Sequence, residues 1–169
     1  MIKKIIALWV VCFLPFSSVF AEGIEGFWKA VNEKGREDCI VAVYEYDGMW
    51  YGRIIGTYND EGVMDDTIYH PVERAPGVKE NPYYSGMDII WNLRPTSGGK
   101  YRGKIVDPEK GKVYKAELWV NQYGELVVRG ELLFFGRNQE WPAAQDSDFP
   151  KGFQKPDVST FVPEIPRVK

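Results

Sequence analysis

Few residues in this chain could do covalent or metal chemistry. There is one histidine, His70, and two cysteines, Cys12 and Cys39. A zinc site built on His70 and Cys39 would have to take its other ligands from carboxylates. A hydrolytic set would pair His70 with loop acids such as Asp65 and Asp66, but no G-x-S-x-G elbow accompanies it. The plainer readings are a loop histidine ahead of Pro71, two solvated acids, and a small buried cysteine in a strand. No phosphate loop or dinucleotide fingerprint is present. These residues predict no metal, no cofactor and no catalytic centre.

Aromatic side chains are the other resource. Beyond residue 21 the chain carries Trp28, Trp50, Trp91, Trp119 and Trp141 with ten tyrosines. They are either core packing or the lining of a pocket with a few polar tips for orientation. If each strand keeps one inward parity, the candidate lining is Tyr44, Trp50, Trp91, Tyr114, Leu118, Val128 and Phe134. A single bulge would invert part of that set.

The elements that must position these residues read as strands. Residues 39–46 (CIVAVYEY) are β-branched and aromatic, and Asp47-Gly48 is a strong hairpin signal before 49–58 (MWYGRIIGTY). Residues 87–94 alternate, with Met87, Ile89, Trp91 and Leu93 on one face. Residues 112–120 alternate again through Tyr114, Ala116, Leu118 and Val120. Short strands at this spacing, divided by glycine turns, predict an all-β sandwich or barrel. In the segment 107–112 (DPEKGK), Asp107 can accept backbone N–H bonds, Pro108 presets the next φ, and Gly111 can take a positive φ. Two stretches stand apart. Residues 59–85 form a long polar loop, and 142–169 form a tail with five prolines.

The N-terminus predicts export. Lys3 and Lys4 precede an apolar run from Ile5 to Phe16, and residues 19–21 (VFA) fit a cleavage site, so residues 1–21 read as a signal peptide. Without them the basic residues fall from 21 to 19 against 24 acids, a net charge of −5. That offers no basic face for nucleic acid. Cys39 is then alone, and no internal disulfide can form.

The motifs G-x-W at Gly26–Trp28, D-P-x-x-G-K-x-Y at Asp107–Tyr114, and V-R-G…G-R-x-Q-x-W at Val128–Trp141, in this order, resemble a family of small exported bacterial proteins filed as domain of unknown function 2147. The likeness covers about residues 25–141. It implies an antiparallel, up-and-down, lipocalin-like (calycin) barrel of about eight strands over 22–141, followed by the proline-rich tail. It passes on no activity. Three features depart from the family's pattern: there is no cysteine pair in 59–85, the run before Gly136 is short, and proline follows Trp141. In such barrels the last strand pairs with the first. Gly26, Trp28 and Arg137 are then the closure, with the Arg137 guanidinium across the indole. Arg129 is either an exposed strand residue or an anion clamp at a barrel mouth.

Together these readings predict a periplasmic or secreted, non-spanning binder of a small apolar ligand. The alternative is a protein-binding module, an envelope assembly factor or enzyme inhibitor, that uses the 59–85 loop and the tail.

Overall fold

The computed structural model describes residues 23–32, 35–131 and 137–169, with Arg137 described by its backbone alone. The expected signal peptide, Phe134 and the Arg137 side chain lie outside the described residues.

Among the described residues nine strands form one antiparallel sheet. They are β1 Gly26–Val31, β2 Glu37–Tyr46, β3 Met49–Tyr58, β4 Met64–Thr67, β5 Asp88–Pro95, β6 Tyr101–Asp107, β7 Lys112–Val120, β8 Leu126–Glu131 and β9 Arg137–Trp141. Eight follow the order β1-β2-β3-β5-β6-β7-β8-β9, and the short β4, inside the expected loop, hangs on β3. Among the described residues there is no α-helix, only two 3-10 turns at Asp146–Asp148 and Val158–Thr160. No described helix is long and apolar enough to cross a membrane. The architecture is the expected up-and-down barrel.

The turns hold as the sequence predicts. Asp47 and Gly48 take φ of 50° and 73°, the double positive φ that fits the twist of a two-residue hairpin. Asp107 Oδ1 accepts the N–H groups of Glu109 (3.1 Å) and Lys110 (2.9 Å), and Gly111 has φ 63°. Gly111 answers a second demand as well. A Cβ on it would meet the Gly77 carbonyl, and a Cβ on Gly77 would meet the Gly111 backbone. The Gly77 N–H donates to Pro108 O at 2.9 Å. The D-P-x-x-G turn therefore docks the long loop as well as reversing the chain.

Closure falls just past β9. Trp28 bridges Ala143, Lys29 N–H donates to Pro142 O (2.9 Å), and Ala144 N–H donates to Phe27 O (2.8 Å). The first residues of the expected tail thus close the barrel. The Trp28 indole N–H is held by Ile24 O at 2.9 Å, and both residues are buried.

The remaining tail is a strap. Phe149 packs edge-on against Phe27 and stacks on Phe153. Tyr58 donates to Asp148 O at 2.9 Å, and Phe161 packs edge-on against Tyr44. Val168 then bridges Val78 in the long loop. The covered surface is apolar: Ile40, Ala42, Ile55 and Met64 form, with Phe149 of the strap, a second core outside the barrel. Apolar area removed from water is worth about 25 cal/mol per Å², so an uncovered outer face of this kind would be costly. The sequence of β2 shows the consequence, because Cys39 to Tyr44 is buried on both faces.

Candidate functional site: the barrel mouth and the strapped face

Register decides which side chains face inward. Trp28 pairs with Val41, and Val43 pairs with Gly52. A Cβ on Gly52 would lie about 3 Å from both Ile90 and Val41, so these residues share the inner face. Ile40 and Ala42, on the other parity, contact the strap cluster.

Tyr44 has the parity of Ala42, so it faces outward beneath Phe161 and does not line the interior. The single-parity expectation breaks again in β5, which carries two irregularities, at Asp88–Ile90 and at Trp91–Arg94, the second around Asn92 with φ 54°. The ladder pairs Trp91 with the exposed Lys104, on the face opposite Ile90 and Ile105. Trp50, Tyr114, Leu118 and Val128 keep the expected parity. Trp50 meets Tyr101 edge-on, Tyr101 pairs with Leu118, and Leu118 pairs with Val128. Tyr114 pairs with Ile105. Arg129 is exposed and lies between Glu117 and Asn138 on the outer face, which leaves no place for it as a mouth clamp.

Two polar constellations emerge, neither expected from the sequence. The first lies on the strapped face. Asp88 is fully buried and accepts four bonds: from Tyr44 Oη (2.7 Å), Arg53 Nε (3.2 Å), Arg53 Nη2 (2.7 Å) and the Glu164 N–H (2.8 Å). Arg53 Nη2 also donates to Val162 O at 2.8 Å, and its guanidinium lies 4.5 Å from the Phe161 ring centre. Burial opposes the charge on Arg53, but the hydrogen bonds and charge of Asp88 raise its pKa. Burial, then the Asp88 hydrogen bond, also pushes the Tyr44 phenol up. This set is saturated, and the strap completes it.

The second constellation rims an open cleft of about 680 Å³ at one end of the barrel. Its apolar wall includes Ala30, Cys39, Ile89 and Trp141, and its rim carries Asp38, Glu73, Asp107 and Glu109 with Arg36 and Lys110. Both cations already have acids. Arg36 reaches Asp60 at 3.5 Å, and Lys110 reaches Asp107 at 3.3 Å. Among the described residues no salt bridge reaches Asp38, Glu73 or Glu109. The crowded mouth walls, then the charge of Glu109, raise the Asp38 carboxyl. Burial and the surrounding carboxylates, Glu109 and Glu73 foremost, push the Tyr84 phenol up to about 12. Burial also raises the Cys39 thiol, which makes it a poor nucleophile.

A smaller crevice of about 190 Å³ adjoins the mouth and shares Thr57, Tyr58 and Glu73 with it. Asp66 lines it and is 2% exposed. Its Oδ2 accepts the Glu73 N–H at 2.7 Å, whereas its Oδ1 is buried with no partner. His70 lies elsewhere. It is exposed, joined to Thr67 through backbone bonds, and lines an outer crevice with Tyr69, Lys151 and Phe153. Among the described residues no three His, Cys, Asp or Glu groups could hold a metal ion.

The fold has a solved counterpart. The chain is similar to protein HP1028 of the human pathogen Helicobacter pylori, described as belonging to the lipocalin family, with a TM-score of 0.59 and 17% identity. The likeness covers 73% of this chain and 84% of that one. No match is found among curated proteins. A family profile described as "uncharacterized protein conserved in bacteria (DUF2147)" matches residues 26–142. With more than two-thirds of its length and all the described strands inside that match, the chain is a member of the DUF2147 family, built on a lipocalin-like fold.

Proposed function

We propose that this protein is a binder of a small apolar ligand in the periplasm, and that the barrel mouth is its site. One observation carries the reading: a cleft of about 680 Å³, polar over much of its lining but with Ala30, Cys39, Ile89 and Trp141 among its walls, opens at the end of a lipocalin-like barrel. Small-molecule sites of this size are concave and apolar, with a few polar groups that fix orientation. Eight-stranded barrels hold one small ligand or fill with side chains. The surfaces of the alternative reading, the long loop and the tail, are engaged with each other. Lys79 N–H donates to Arg167 O at 2.7 Å, and Lys169 N–H donates to Gly77 O at 3.1 Å.

The test is titration with the neutral fluorophore N-phenyl-1-naphthylamine. Saturable binding is expected in the native protein. Ala30→Phe, which fills the wall, should abolish it while the circular dichroism spectrum stays native. Undiminished binding in that folded variant would move the site elsewhere.

A further inference from the structure

An apolar wall does not say what the polar end of a ligand must be; the rim does. The three acids without a salt bridge come from separate segments: Asp38 on β2, Glu73 in the long loop and Glu109 in the β6–β7 turn. Like charges gathered at one opening repel, and the two cations of the rim, Arg36 and Lys110, are salt-bridged to other acids. The chain keeps them together by docking Gly77 on Gly111, which brings the loop that carries Glu73 against the turn that carries Glu109. The adjoining crevice adds an independent sign. Asp66 Oδ1 is buried without a donor, in a wall shared with Glu73, Thr57 and Tyr58. A buried carboxylate oxygen left unpaired is costly, and what it lacks is an N–H or O–H donor. The aromatic residues Tyr58, Tyr84 and Trp141 also line these pockets, and aromatic rings suit a cation.

We infer that the ligand is an apolar amine, bound with its hydrocarbon body in the mouth and its protonated nitrogen in the side crevice against Asp66 and Glu73. The inference rests on the mouth being the binding site. It disfavours carboxylate-headed ligands such as fatty acids, because their charge would meet Glu73 and the buried Asp66 at the side crevice. It also prefers a nitrogen that bears hydrogens over a quaternary one, because Asp66 Oδ1 needs a donor.

The experiment is displacement of N-phenyl-1-naphthylamine from the full chain by decylamine, decanol and decanoate, each below its micelle concentration. Decylamine should displace at roughly tenfold lower concentration than decanol, a difference of about 1.4 kcal/mol. Decanoate should be the weakest. Asp66→Asn, which removes the charge, should bring decylamine to the level of decanol. Glu73→Gln is the second variant, since the Glu73 side chain is exposed and its loss does not threaten folding; it should lower decylamine affinity alone. Saturable probe binding with equal displacement by all three compounds, or an amine preference that survives both substitutions, would overturn the inference and leave an apolar site. Failure of the native protein to bind the neutral probe would overturn the proposed function itself.

Discussion

The strapped face and the mouth both gather acids, and they treat them in opposite ways. On the strapped face one carboxylate, Asp88, accepts four hydrogen bonds, two of them from the Arg53 guanidinium, and no solvent reaches it. At the mouth three carboxylates have no salt bridge among the described residues, and the oxygen of a fourth is buried without a partner. A saturated buried ion pair is what a chain keeps to hold a segment in place. The three acids around the cleft make no salt bridge among the described residues, and the proposed amine is what their placement suits.

The largest effect is expected from removing the strap. Deleting residues 145–169 uncovers Phe27, Ile40, Ala42 and Ile55 and strips Asp88 and Arg53 of their tail partners. At about 1.5–3 kcal/mol per large apolar side chain, the loss should exceed ~5 kcal/mol. A shortened chain that melts like the full one would show the strap to be ornamental. Asp88→Ala should cost about 3–5 kcal/mol in urea unfolding, because it strands the Arg53 guanidinium in a buried place. Gly77→Ala should cost about 1–3 kcal/mol, because its Cβ strikes the Gly111 backbone. The same variant should also weaken probe binding, since it displaces the loop that carries Glu73 and Tyr84 to the mouth.

The smallest effect concerns Glu117, whose pKa is lowered by hydrogen bonds from Lys100 and then Arg102. Its contribution is present above the ordinary glutamate pKa and fades as pH falls through the lowered folded value. Both partners are partly exposed, so Glu117→Gln should cost only about 0.5–1 kcal/mol near neutrality. Below that folded pKa the gap between variant and native protein should vanish; a gap that persists in acid would assign the loss to packing.

Much of the fold was legible because its signals are local. Alternation in β7, the Asp47-Gly48 turn and the D-P-x-x-G lock all act within a few residues. The candidate lining was legible only where strands run without irregularity. Leu118 and Val128 sit on straight ladders and face inward. Trp91 lies between two irregularities of β5, and nothing in the neighbouring residue types announces them. Tyr44 misled for a different reason. With the strap outside and the core inside, β2 is apolar on both faces and its parity carries no information. Arg53 and Asp88 did leave a trace, as opposite charges beside the apolar runs of two strands. The mouth left none, because Asp38, Glu73 and Glu109 are ordinary surface acids until the loop docks on the turn. The docking glycine pair, Gly77 and Gly111, is a contact between segments far apart in the chain, which periodicity cannot read.

The most direct measurement is urea unfolding of two variants in parallel: Asp88→Ala, and the triple Asp38→Asn, Glu73→Gln, Glu109→Gln. If the mouth acids are held for a ligand and Asp88 for the fold, the triple variant should match or exceed the native protein to within about 0.5 kcal/mol, while Asp88→Ala loses several. A triple variant destabilised as much as Asp88→Ala would contradict the account, because the mouth acids would then be part of what holds the barrel together.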